Sequence, residues 1–294
     1  MSILAVKVFS TVFPVFFLLG LGWVFGRFKK IDLTTLTDVV VYVGSPCLAF
    51  AALSKSVLPP KTFGLIFLAG FDIILGMWVL AAVFLRFFRD DVKGLYLPIM
   101  FPNAGNMSMP LCLFAFGQEG LALAVIIFSV NALTHYTLGI AIISRGSENS
   151  REALKLPMTY TAIAGIVVSM MGWEVPVYIF RPIEIMGNAG IGFMLFSLGY
   201  RLVHVELTAY RLASAAAFLR IAGGFSLAWA ATALLGIEGV PRGALILAFS
   251  MPSAVINFIF AQKFDRNPEL VASTVWISTL FSLVTTPAVL TFLL

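Results

Sequence analysis

Two short stretches decide how this chain reads: Phe101-Pro102-Asn103-Ala104-Gly105-Asn106-Met107-Ser108-Met109-Pro110 and Ser250-Met251-Pro252-Ser253-Ala254-Val255-Ile256-Asn257. Each places proline beside small polar residues inside a long apolar run. Proline lacks a backbone N–H, and its ring clashes with the carbonyl one turn earlier, so each stretch should interrupt a helix. In hydrocarbon an unpaired carbonyl is costly, so backbone opened there must be buried in protein or line a cavity. The N-termini of the half-helices beyond each break would then present partial positive charge at mid-depth, which suits an anion.

Working outward, these stretches sit in two of ten apolar runs near the ~20-residue spanning length. The ten are roughly 5–27, 36–54, 61–86, 94–117, 120–144, 157–173, 182–201, 211–236, 241–262 and 268–293. Hydrophobic residues make up 60% of the chain and charged residues 11%, against roughly 25% charged in soluble domains. A soluble fold could not cover that much apolar surface. The chain therefore reads as an all-α integral membrane protein whose first partner is the lipid bilayer. The net charge of +5 is spread over short basic clusters between runs and is not a nucleic-acid signal. Cys47 and Cys112 lie inside apolar runs and read as packing residues. No cleavable signal peptide is apparent, because the basic flank Arg27, Lys29 and Lys30 follows the first run.

Alternate loops differ in Lys and Arg. One side receives thirteen: Arg27, Lys29, Lys30, Arg86, Arg89, Lys93, Arg145, Arg151, Lys155, Arg201, Arg211, Lys263 and Arg266. The other receives five: Lys7, Lys55, Lys61, Arg181 and Arg242. The basic side should be cytoplasmic, with both termini outside.

The halves are related. At an offset of 150, Leu95 matches Leu245, Leu97 matches Leu247, Pro102 matches Pro252 and Ala104 matches Ala254. At 146, Gly26 matches Gly172 and Phe50 matches Phe196. Five runs per half puts the halves, 1–150 and 151–294, in opposite orientations, and inverted repeats with paired broken helices are a transporter signature.

The chain resembles the auxin efflux carrier family on four segments in order. Phe101–Pro110 is similar to that family's Leu-Pro-Asn…Ile-Pro segment. Met251–Phe264 is similar to its Leu-Pro-Gln…Phe-Ala-Lys-Glu-Tyr segment. Asn188–Leu202 resembles Asp-Ala-Gly…Met-Phe-Ser-Leu-Gly, and Pro157–Tyr160 resembles Pro-Asn-Thr-Tyr. The resemblance implies ten helices in two inverted repeats. Helices 1, 2, 6 and 7 would form a scaffold that pairs as a homodimer. Helices 3–5 and 8–10 would form a mobile transport domain, with helices 4 and 9 crossing at Pro102 and Pro252. It also implies that Asn103 contacts a substrate carboxylate and that the transport domain slides as an elevator. Plant members carry a long loop between helices 5 and 6; the short one here points to a prokaryotic plasma membrane protein without that loop's phosphorylation control. Bacterial relatives described as malate or malonate permeases favour a dicarboxylate over an auxin-like acid.

The expected substrate-binding set is Asn103, Ala104, Gly105, Asn106, Ser253, Val255 and Asn257, with Ser45 reaching in from the second run. His135, one turn after Asn131, is a proton-carrier candidate or a neutral residue bonded to a neighbouring helix. Asp72 lies eleven residues from Lys61, and Arg220 nine from Arg211, roughly 16 and 14 Å at helical rise. Both sit near mid-depth in equivalent helices, so they are expected to form an ion pair or to share a pocket, with coupling as the functional version. Gly22-Trp23-Val24-Phe25-Gly26 fits a close helix contact, within the chain or across a dimer. No Walker loop, HExxH, GxSxG or paired intramembrane aspartate occurs. An enzyme, a cofactor and a metal are therefore not expected. A small-organic-anion carrier leads; an anion channel or a proton-coupled carrier of an unrelated small molecule is the alternative.

Overall fold

A chain in hydrocarbon must satisfy its backbone hydrogen bonds within each segment, and helix does so locally. The computed structural model describes residues 3–55, 59–88, 92–144, 157–204 and 208–294. Among them thirteen α-helices follow in order: α1 Ile3–Phe28, α2 Leu33–Val39, α3 Ser45–Ser54, α4 Pro60–Leu85, α5 Tyr96–Met100, α6 Met109–Thr134, α7 Ile140–Ile143, α8 Pro157–Met170, α9 Val177–Arg201, α10 Tyr210–Leu234, α11 Gly239–Phe249, α12 Ile256–Lys263 and α13 Pro268–Leu293. Wider π turns, Val40–Gly44 and His135–Gly139, carry α2 into α3 and α6 into α7. Among the described residues the one β-type pairing is an isolated antiparallel bridge between Pro102 and Ser253. Arg89, Arg145, Arg151 and Lys155 of the basic side lie outside the described residues.

Among the described residues, seven helical runs are long and apolar enough to cross a bilayer: Leu4–Phe28, Thr35–Ser54, Lys61–Leu85, Ala104–Ile143, Val177–Arg201, Tyr210–Leu234 and Pro268–Leu293. The ten runs of the sequence differ from these seven for identifiable reasons. Ala104–Ile143 has 40 residues, roughly 60 Å if straight, twice the ~30 Å hydrocarbon core. It is not straight: Gly117 takes φ +69° and ψ −155° inside α6, a conformation open to glycine and strained for other residues. The expected sixth run forms the 14-residue α8. The expected ninth is divided between α11 and α12, and the break after α5 cuts the fourth.

Packing sorts the helices into two groups. α1 lies on α9, and α3 lies on α8 and α9; α4 lies on α6 and α10, and α10 on α11 and α13. The groups meet where α1 touches α6 and α13 and where α3 touches α6. The Gly22…Gly26 stripe serves an intramolecular contact: a Cβ on Gly22 would meet the Phe196 carbonyl, and one on Gly26 would meet Tyr200 and Val203. The outward faces are apolar. Phe9, Phe13 and Phe17 stack along exposed α1 with centroids 5.1 and 5.5 Å apart. Such a surface is unfavourable in water and natural in lipid.

Asp72 belongs to an outward face. On α4 it shares the exposed side with Leu68, Phe71 and Val79, while Ile73, Ile74 and Met77 are buried.

Candidate functional site

The two breaks cross one another. α5 ends at Met100, and Phe101 turns extended with φ −107° and ψ 107°. α11 ends at Phe249, and the chain stays non-helical until Ile256. Where they pass, Asn103 N–H donates to the Pro252 carbonyl at 2.7 Å and Ala254 N–H donates to the Phe101 carbonyl at 3.2 Å. Ser253 N–H donates to Ser278 Oγ on α13 at 3.1 Å. Backbone that proline deprived of helical partners thus finds partners across the crossing.

The carbonyls at the ends of α5 and α11 are satisfied by Arg220. Its side chain is fully buried. Nη1 donates to the carbonyls of Ile99 at 2.8 Å and Met100 at 2.6 Å, and Nη2 donates to that of Phe249 at 2.8 Å. One guanidinium from α10 therefore caps both half-helices. Gly224, one turn later, allows the approach, since a Cβ there would strike the Phe249 carbonyl and the guanidinium itself.

These bonds correct the expected Asp72–Arg220 pair. Arg220 points into the crossing and Asp72 outward on α4, and no ion pair joins them among the described residues. Helix C-terminal carbonyls, each end worth about half a negative charge, stand in for the carboxylate.

Beyond each break a half-helix begins. Asn103 caps the first, its Oδ1 accepting from Asn106 N–H at 3.2 Å at the head of the π turn Ala104–Ser108 that leads into α6. The second is α12. Both starts face a cavity of about 190 Å³. Pro102, Asn103, Ala104, Gly105 and Asn106 line it from the first break and Ala254, Val255 and Ile256 from the second. Ser45, the first residue of α3, lines it together with Met194, Ser197 and Arg201 of α9. Asn131 and His135 complete the lining from the far arm of α6 and the turn after it.

Several lining side chains hold polar atoms with no partner among the described residues: Asn103 Nδ2, Asn131 Oδ1, His135 Nε2 and Ser197 Oγ. Leaving a buried polar atom unpaired costs about 1–3 kcal/mol, so four around one cavity mark it as built for something polar. The His135 ring is fixed by stacking on Phe101 at 4.2 Å and by an edge contact with Phe260 at 5.1 Å.

Two expected site residues stand elsewhere. Ser253 and Asn257 are fully buried behind the cavity wall and do not line it. Asn257 Nδ2 donates to the Phe101 carbonyl at 3.1 Å and to Ser253 Oγ at 2.9 Å, because the amide is consumed in holding the crossing. Pro252 is likewise buried within the crossing. Arg201, counted in the sequence as a loop charge, lies in the lining instead; its spacing of four from Ser197 and seven from Met194 on one helix face was the available signal. Among the described residues no group of His, Cys, Asp and Glu is placed to hold a metal ion.

The family described as membrane transport protein matches residues 7–153 and 147–290. An uncharacterized transporter of Methanocaldococcus jannaschii is 26% identical over 277 residues, covering 88% of this chain and 89% of that protein. An uncharacterized transporter of Methanothermobacter thermautotrophicus is 27% identical over 295 residues, covering 95% and 96%. A probable auxin efflux carrier component 1b of Oryza sativa is 29% identical over 140 residues, covering 45% of this chain and 25% of the longer plant protein.

Proposed function

Since the chain belongs to the membrane transport protein family, that of the auxin efflux carriers, and is an integral membrane transporter, we propose that it carries small organic anions, with carboxylates as the substrate class. The observation that carries this reading is the charge arrangement at the crossing. Four half-helix ends meet there, each worth about half a charge. Arg220 offsets the two negative ends at Met100 and Phe249. The two positive ends, at Asn103 and Val255, face the cavity unbalanced. The cavity floor is thus electropositive by about one charge, and Asn103 Nδ2 is an unused donor beside it.

A carboxylate would accept from Asn103 Nδ2 and sit over the start of the Ala104–Ser108 turn. Ser45 and Ser197 offer hydroxyls from the facing helices. Asn131 Oδ1 supplies an acceptor, so a substrate hydroxyl or a proton shared with His135 would find a partner there.

In the same reading the chain forms ten spans as two inverted five-helix repeats, 1–150 and 151–294. α1, α2–α3, α8 and α9 act as scaffold and dimer surface, and the remaining helices move as an elevator. A prokaryotic plasma membrane with both termini outside completes it. The observed packing supports the division, since the cavity lies between the α9 side and the crossing. The archaeal relatives, named as transporters, support the setting.

The test is binding selectivity. Purified protein should be stabilised against heat by carboxylates and left unchanged by amines or neutral amides of the same size. Equal stabilisation by all three would remove charge selection from the crossing. For the elevator, a disulfide joining α1 to α13, which touch across the boundary and do not line the cavity, should stop flux yet leave binding in place; full turnover of the cross-linked protein would contradict movement across that boundary.

A further inference from the structure

The cavity holds a second positive feature apart from the crossing. Of the side chains that line it, Arg201 is the one with a permanent charge, and no Asp or Glu shares the lining. Arg201 is the last residue of α9 and is partly buried. Its Nη2 donates to Thr37 Oγ1 on α2 at 2.7 Å. A guanidinium has five N–H donors, and among the described residues no carboxylate lies within ion-pair distance of this one. A charge inside a membrane protein tends to be paired, and this one is held in place by a neutral hydroxyl.

Its position along the wall matters. The α9 residues in the lining are Met194, Ser197 and Arg201, spread over roughly 10 Å at helical rise. On the facing helix Thr37 stands at the Arg201 end, and Ser45 lies eight residues further on, roughly 12 Å at the same rise. The Arg201–Thr37 pair therefore occupies the outer end of the cavity, near the α9 terminus where Tyr200 Oη accepts from Ile31 N–H at 2.9 Å. Asn103 and the half-helix starts form the inner end.

We infer, building on the anion-carrier reading, that Arg201 is a specificity-determining residue, a second anion contact at the outer end of the cavity that selects substrates with an acidic group at each end over those with one. Thr37 engages one N–H of the guanidinium and leaves the others for a carboxylate, which a planar fork can bind through two parallel hydrogen bonds. The crossing takes the other acidic group. Asn131, Ser197 and the apolar Met194 and Phe128 enclose the segment between.

The experiment is titration calorimetry on the purified full-length protein with chain-matched probes: succinate against butyrate and glutarate against valerate. The native protein should bind the better diacid at least about tenfold more tightly than its monoacid, as expected for one added charge-assisted contact. Arg201→Gln should bring the diacid down to the level of its monoacid and change the monoacid less than about twofold. Arg201→Lys keeps the charge without the fork and should retain a reduced preference, which gives a reading even if the Gln variant does not fold. An Arg201→Gln protein that loses mono- and diacid alike, or an Arg201→Lys protein with no preference, overturns the assignment. Native protein that binds both members of each pair equally also overturns it but leaves the anion carrier standing. Native protein that binds none of these acids ends both.

Discussion

The two breaks occupy equivalent places in the two halves, yet their polar residues do different things. At the first, Asn103 and Asn106 face the cavity, and Asn103 keeps Nδ2 unused. At the second, Ser253 and Asn257 turn inward, and the Asn257 amide donates to the Phe101 carbonyl and to Ser253 Oγ. One break leaves a donor unused beside the cavity, a receiver in the proposed function, and the other braces the crossing. Two proline-marked stretches cross as backbone, and side-chain orientation then separates them. Both half-helix starts reach the cavity, while the unused amide donor at its floor comes from the first break.

The largest expected effect concerns what holds both breaks. Arg220→Met leaves the Ile99, Met100 and Phe249 carbonyls without their donors and should cost about 3 kcal/mol or more, since each buried unsatisfied group costs ~1–3 kcal/mol. Loss of monodisperse protein, or a large drop in detergent unfolding temperature, is the readout. Adding Asp72→Asn should recover nothing, because the two residues are not partners. Gly224→Ala comes next, at ~1–3 kcal/mol, for the clash with the Phe249 carbonyl.

The contrast between breaks is sharpened by a matched pair of variants. Asn103→Ala should weaken substrate binding by about 1–3 kcal/mol with a smaller change in unfolding temperature. Asn257→Ala should do the reverse: it loosens the Phe101 carbonyl and lowers stability by ~1–3 kcal/mol, with substrate affinity of the folded fraction less affected. Equal effects of the two on binding would erase the distinction between receiver and brace. No loss of stability is expected at Asp72→Asn alone: removing a charge from a lipid-facing side should leave the unfolding temperature unchanged or raise it.

The sequence made the breaks legible because proline acts locally: Pro102 and Pro252 mark them whatever surrounds them, whereas their crossing was implied only by the family resemblance. The all-helical membrane character was legible too, since length and apolarity need no tertiary information; the structure has seven runs of spanning length among the described residues where ten were expected. What the sequence could not give was azimuth. In a membrane protein the lipid-facing side of a helix is as apolar as the packed side, so α4 shows no polar stripe to say that Asp72 points out while Ile73 and Met77 point in. Depth along the helix, read from residue counts, placed Asp72 and Arg220 at one level and suggested a pair that orientation forbids. The same blindness assigned Ser253 and Asn257 to the cavity. Arg201 was hidden differently, because a basic residue at a helix end reads as a topology signal until the cavity beside it is seen.

The measurement that bears most directly on the central claim is counterflow in proteoliposomes. Vesicles containing the protein are loaded with an unlabelled carboxylate that stabilises it and are then offered the labelled acid. The expected result is saturable uptake, accelerated by substrate on the opposite side and reduced about fivefold or more in Asn103→Ala at subsaturating substrate. Flux that rises linearly with concentration, ignores substrate on the far side and survives Asn103→Ala would contradict it and describe an open pore in place of a carrier.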